Sequence, residues 1–328
     1  MVSKRLKRDM AVLAAGVVIG GVIVCLIPEG TTARFDREKD LLQNADSGIF
    51  TNPLLACGDI DSLSVGLMQN LKDEVQSFFT KRISAGHVSH VSVYVRDLNN
   101  GPWFGLNEKE PFYPASLLKV PLLLAAYKVE EERPGFLDQE MNYTERLVDA
   151  PQLFPPSQPL TPGTYTVREL LRRAIVFSDN NATALLAIAI GPETALKVFE
   201  DFGIEKPTPN VDYQMLVRTY ASFFRVLYNA SYLSRTHSEE ALAILAEVDF
   251  EEGLVAGVPD GVPLAHKFGE REAFGAENGD IQLHDCGIVY SESPYLICAM
   301  AQGSSTEGIL PVIREISKKV YARIGDGV

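Results

Sequence analysis

The chain has 328 residues, 46% of them hydrophobic and 22% charged, with a formal net charge of −13. These are globular values, enough for one large domain or two small ones. Apart from Lys4, Arg5, Lys7 and Arg8 the basic residues do not gather, and an acidic body without a basic stripe argues against a nucleic-acid partner. Cys25, Cys57, Cys286 and Cys298 form no C-x-x-C pair, and the histidines lack ligand spacing, so no metal and no cofactor is expected. Among the three cysteines of the body, one disulfide with a free thiol and three buried thiols both fit.

Met10 to Ile27 is an unbroken run of 18 apolar or glycine residues, flanked by the basic residues and closed by Pro28-Glu29-Gly30. That length just crosses a bilayer, and the basic flank marks residues 1–9 as a cytoplasmic tail. The expectation is a transmembrane anchor at 10–27. A cleaved signal peptide is the rival, but Thr31-Thr32-Ala33 is a poor cleavage signal. Either reading places residues 28–328 outside the cytoplasm. Residues 28–55 are polar and irregular and read as a linker, leaving 56–328 as the folded domain.

A helix is expected over about 61–83. His90 to Arg96 then alternates, with Val91, Val93 and Val95 on one side and Ser92 and Tyr94 on the other, as in a strand. Asn99-Asn100-Gly101 signals a hairpin, and Trp103 to Phe112 reads as the returning strand. The middle of the chain is helical. Thr166-Val167-Arg168-Glu169 has the form of a capped helix start, and further helices are expected over Ala182–Ile190, Pro192–Phe202, Tyr213–Asn229 and Ser238–Val248. Strands return at Pro263–Gly269, Ile281–Ser291 and Tyr295–Ala301, and Ile309–Ile324 closes the chain as an amphipathic helix. This order implies an α+β fold: a five-stranded antiparallel sheet with flanking helices and an inserted all-α lobe.

Three short stretches carry chemistry. In Ser116-Leu117-Leu118-Lys119 a serine stands three residues before a lysine at the start of an apolar helix, so both side chains share one face. Burial lowers the basicity of a lysine, and a neutral amine can take a proton from a serine. Ser178-Asp179-Asn180 follows an apolar helix. Its serine can relay a proton, its asparagine can hold a substrate amide, and its aspartate is suited to holding the turn. His266-Lys267-Phe268-Gly269 heads a late strand. There Lys267 can attract a carboxylate, Gly269 can let substrate lie against the strand, and the Glu270 backbone N–H can pair with that of Ser116 as an oxyanion hole.

Together, Ser116-x-x-Lys119, Ser178-Asp179-Asn180 and Lys267-x-Gly269 resemble the three ordered motifs of the penicillin-recognising serine enzymes, most closely class A serine β-lactamases. The resemblance spans about residues 60–325 and includes Asp249-Phe250-x-x-Gly253-Leu254-Val255-x-Gly257-Val258-Pro259 before the third motif. It implies that Ser116 is acylated, Lys119 is its base, Ser178 relays the proton, Asn180 clamps the substrate and Lys267 is the carboxylate-side cation. It implies β-lactam hydrolysis, with a β-lactam or peptidoglycan-like peptide as the small-molecule partner. A D,D-peptidase or amidase, and a non-catalytic cell-wall sensor, are the alternatives. Two departures stand out. Phe268 replaces the hydroxyl residue of the third motif, and no Glu-x-x-Leu-Asn loop lies between residues 181 and 266. Glu205 and Asp212 are the remaining carboxylates near that position. Without the loop glutamate, deacylation is expected to be slow.

Overall fold

A computed structural model describes residues 49–52, 62–99, 101–208, 212–272 and 280–325. The expected tail and anchor, most of the linker, and Cys57 lie outside the described residues. Among the described residues no single helix is long and apolar enough to cross a membrane.

The chain enters through helix α1 (Ser62–Ser84), then strands β1 (His90–Asp97) and β2 (Trp103–Leu106). Late in the chain come β7 (Leu264–Glu272), β8 (Ile281–Val289), β9 (Tyr295–Gly303) and the final helix α8 (Thr306–Val320). Early and late strands join in one antiparallel sheet of order β2-β1-β9-β8-β7. The expected five-stranded sheet is therefore present. The alternation read in β1 is not a wet-and-dry pattern, because Ser92 and Tyr94 are buried along with the valines. Helices cover both faces, so the polar members of the strand need internal partners. Ser92 finds one by donating to the carbonyl of Asn107 at 2.7 Å. Cys286 and Cys298 stand opposite each other in β8 and β9 and form a disulfide.

The expected second strand, Trp103 to Phe112, is broken. Asn107 adopts φ 51°, a left-handed conformation that asparagine tolerates better than most residues. Its side-chain amide donates to the carbonyl of Val91 at 2.8 Å and so takes the place of a ladder bond. Past this corner, β3 (Pro111–Phe112) leaves the sheet and pairs with β6 (Met215–Leu216).

The helical lobe surrounds α2 (Lys119–Glu132), whose Val120, Leu123, Leu124, Ala125 and Ala126 have no exposed surface. Such a helix is apolar on nearly every side because it has neighbours on nearly every side. Those neighbours are α3 (Val167–Val176), α4 (Asn180–Ile190), α5 (Pro192–Asp201) and α7 (Arg235–Leu245). The short ribbon β4 (Glu140–Tyr143) and β5 (Gly163–Thr166) leads into α3. Thr166 caps α3 as the sequence predicts: its hydroxyl accepts from the Glu169 N–H, and the Glu169 carboxylate accepts from the Thr166 N–H. Gly191, at φ 84°, separates α4 from α5. The helix α6 (Val217–Tyr228) packs against β1, β8 and β9 and carries the lobe back to the sheet.

Candidate active site

Ser116 sits in a 3₁₀ turn, Ala115–Leu118, which runs directly into α2 at Lys119. Ala115, just before it, holds φ 49°, a costly left-handed conformation for a residue with a Cβ. The turn lies hard against β7. A Cβ built on Gly269 would come within 2.7 Å of the Pro114 carbonyl oxygen and 2.9 Å of the Leu117 nitrogen. The sequence suggested that this glycine clears space for substrate. The structure gives it another task, which is to let the turn that carries Ser116 approach the strand. Ser116 and Glu270, the residue after this glycine, line the same cavity of about 660 Å³, together with Lys119 and Asn180.

Lys119 is buried, and its Nζ donates to the Ser178 carbonyl at 2.6 Å, the Ser178 Oγ at 3.0 Å and the Asn180 Oδ1 at 2.9 Å. Three acceptors match the three hydrogens of an ammonium group. Burial nonetheless disfavours the charge and lowers the Lys119 pKa to about 7, although the charges of Asp179 and Glu270 pull the other way. Near neutral pH the amine is thus poised between two states. On losing its proton it gives up one of those donors and gains a lone pair.

The second motif is the corner between α3 and α4. Ser178 has φ 54° and no exposed surface. Asp179 holds the corner, accepting from the Ala182 N–H at 2.8 Å as the cap of α4 and from the Leu160 N–H at 2.7 Å. That is the role expected of it. The Gln152 side-chain amide donates to the Ser178 carbonyl at 3.2 Å, so the 151–154 loop is tied to the same corner. The carboxyl of Glu270 accepts from the backbone N–H groups of Leu153 and Phe154, and burial raises its pKa. Sequence reasoning singled out the Glu270 backbone, and missed both its side chain and Gln152. Neither belongs to a periodic stretch or a motif, so only the fold brings them to the cavity.

Lys267 is fully buried and does not line the cavity. Its Nζ donates to the Phe268 carbonyl at 3.0 Å and lies 3.8 Å from the centroid of the Phe268 ring. Burial, then repulsion from Lys119, hold its pKa well below the usual lysine range. The Phe268 ring in turn stacks on Phe250 with centroids 4.2 Å apart and meets Phe154 edge-on at 6.1 Å. Phe268 is therefore a packing residue as well as a missing hydroxyl. Glu205 and Asp212 do not line the cavity either. Asp212 pairs with Arg271 at 3.0 Å, and the Glu205 carbonyl accepts from the Tyr213 hydroxyl. The carboxylates on the cavity wall, among the described residues, are Glu270 and Glu272.

A serine and a buried lysine of lowered pKa on one cavity wall, with a second serine bonded to that lysine, are the groups a serine nucleophile needs, and they stand in an α+β frame. The chain belongs to the β-lactamase enzyme family, whose sequence model matches residues 70–324. Solved structures share the fold at low identity. A variant of PBP-A, described as an acyl-enzyme complex with penicillin G, superposes with a TM-score of 0.64 at 22% identity, covering 78% of this chain and 96% of its own. A class A β-lactamase from Mycobacterium abscessus gives 0.61 at 21%, covering 77% and 98%. A β-lactamase from Xanthomonas campestris gives 0.62 at 19%, covering 76% and 97%. No curated protein matches the chain significantly in sequence.

Proposed function

We propose that the protein is a membrane-anchored, extracytoplasmic serine hydrolase that is acylated on Ser116 by β-lactams or related amides and releases the acyl group slowly. The observation that carries this reading is the buried Lys119, bonded to Ser178 and Asn180 on the cavity that Ser116 lines. In its neutral form Lys119 takes the Ser116 proton as Oγ adds to the carbonyl carbon. The N–H groups of Ser116 and Glu270 are the donors for the developing oxyanion. As the amide C–N bond breaks, the proton passes from Lys119 through the Ser178 hydroxyl to the leaving nitrogen. The acyl–enzyme remains.

Deacylation needs a water held and deprotonated at the ester. Lys119 is engaged by Ser178 and Asn180, and Glu270 by the N–H groups of Leu153 and Phe154. Lack of a positioned base costs about 10²–10⁴ in rate. The anchoring part of the reading rests on the apolar run 10–27 and its basic flank.

Mass spectrometry of the protein after incubation with penicillin G tests the chemistry. The expected result is a stoichiometric adduct that persists for many minutes, is lost in Ser116→Ala and forms slowly in Lys119→Ala. Multiple-turnover hydrolysis with no adduct at any time would overturn slow release, and absence of both adduct and hydrolysis would overturn the serine assignment.

A further inference from the structure

The lining of the cavity at Ser116 is of two kinds. One is the polar groups already described. The other is apolar and includes Leu118, Leu122, Ala195, Leu196, Phe199 and Pro207, from the turn into α2, from α2, from α5 and from the connection after it. Phe199 is buried, but the other five keep part of their surface open to the cavity. Leu196 is not among the side chains packed into the core, so it stands on the cavity wall alone. At about 660 Å³ the space falls within the range of about 300–1,000 Å³ typical of small-molecule sites. Phe199 belongs to the core, and Leu118, Leu122 and Ala195 pack against it, but core packing does not account for Leu196.

The charged groups point the same way. Two basic side chains stand on the cavity wall among the described residues: Lys119 is bonded to Ser178 and Asn180, and Arg271 is paired with Asp212 and stacks over the Tyr113 ring at 4.6 Å. Lys267 is sealed beneath Phe268. Glu270 and Glu272 add negative charge to the wall. A substrate carboxylate would find these basic groups already engaged.

From this we infer that the cavity is an acyl-chain site, and that the preferred substrates are uncharged esters or amides whose acyl group is a medium-length apolar chain. The inference rests on the serine-hydrolase reading and specifies its substrate. In the reaction, Ser116 Oγ bonds to the acyl carbon and the bond from that carbon to the leaving oxygen or nitrogen breaks. The Ser116 proton goes by way of Lys119 to the leaving group. The chain lies along α5. Water later cleaves the ester, returning the serine and a free fatty acid, whose negative charge favours its departure past Glu270 and Glu272.

The test uses p-nitrophenyl esters from acetate to decanoate. Burying a methylene predicts a rise in kcat/KM of about fourfold per CH₂ until the space is full. In Leu196→Glu the ratio of octanoate to acetate should fall at least tenfold. A separate measurement reads the site without chemistry: calorimetric binding of hexanamide, octanamide and decanamide to Ser116→Ala should tighten by a similar factor per methylene. A mass shift with a fluorophosphonate, absent in Ser116→Ala, reports on the serine reading by itself. Labelling of Ser116 together with a flat chain-length series, in hydrolysis and in amide binding, would overturn the acyl-chain site and leave the hydrolase standing. A rising binding series without labelling would keep the site and sink the hydrolase.

Discussion

Gly269→Ala is the sharpest perturbation the site offers. The new methyl would meet two backbone atoms, the Pro114 oxygen at 2.7 Å and the Leu117 nitrogen at 2.9 Å, where ordinary contact begins near 3.4 Å. Neither partner is a flexible side-chain end, so the turn carrying Ser116 must back away from β7 by about 0.7 Å. Overpacking of this kind costs about 1–3 kcal/mol of stability. The kinetic effect should be larger, because a displacement of about 1 Å in a catalytic group can cost about 10²-fold. Stopped-flow acylation under conditions where the variant is folded, set beside a denaturant midpoint, measures both. Gly257→Ala is the control: its Cβ would meet the Arg314 carbonyl oxygen and the Ser317 Cβ, both at 2.5 Å, in a turn packed on α8. It should lose comparable stability and keep its acylation rate. A folded Gly269→Ala that acylates at the parent rate would refute the argument, and so would an equal kinetic loss in Gly257→Ala.

The Lys119 pKa of about 7 predicts that acylation rises about tenfold per pH unit through the acid range and levels off above neutrality; a flat profile from pH 5 to 8 would remove Lys119 as the base. Between about pH 7 and 10.5 the unfolded chain holds a proton that the folded chain has released, so stability should increase with pH over that window, and denaturation of Lys119→Met should show a smaller increase. Asp179→Ala removes a helix cap and leaves the buried Leu160 N–H unpaired, and should lower stability by about 2–4 kcal/mol in urea titrations. Phe268→Thr should cost about 3 kcal/mol by losing its stack on Phe250, and a midpoint unchanged from the parent would show that the ring is not a packing element.

The frame of this protein was legible because its elements follow local rules. The capping box at Thr166, the break at Gly191 and the three late strands all depend on neighbours within a few residues. The break at Asn107 was not legible, since it needs the Val91 carbonyl from across the hairpin. Burial of Ser92 and Tyr94 was equally hidden, because alternation within a strand does not say whether a helix covers the second face. At the site, the spacing of Ser116 and Lys119 and the Ser178-Asp179-Asn180 corner could be named in advance, and the structure brings Lys119, Ser178 and Asn180 into direct contact. What a motif cannot carry is direction. Lys267 turns under its own neighbour's ring, and Gly269 faces the turn instead of the cleft. The apolar wall on α5 was invisible for a related reason: Leu196 and Phe199 read as ordinary members of an amphipathic helix.

The left-handed residues Ala115 and Ser178 set opposite pressures on any lineage bred for heat resistance. Glycine at either place would relieve about 1–2 kcal/mol of backbone cost, partly offset by the freedom it gives the unfolded chain. At 178 the exchange deletes the hydroxyl on Lys119, so a stabilised descendant would be a poorer catalyst at once. At 115 no reacting group is lost, and the penalty would be softer: a nucleophile held less firmly, with acylation slowed through orientation alone. Variants enriched by heating without a selection for turnover should therefore accept glycine at 115 more readily than at 178, where Lys119 would lose a buried acceptor, whereas selection for turnover should hold Ser178 fixed and act more weakly on position 115.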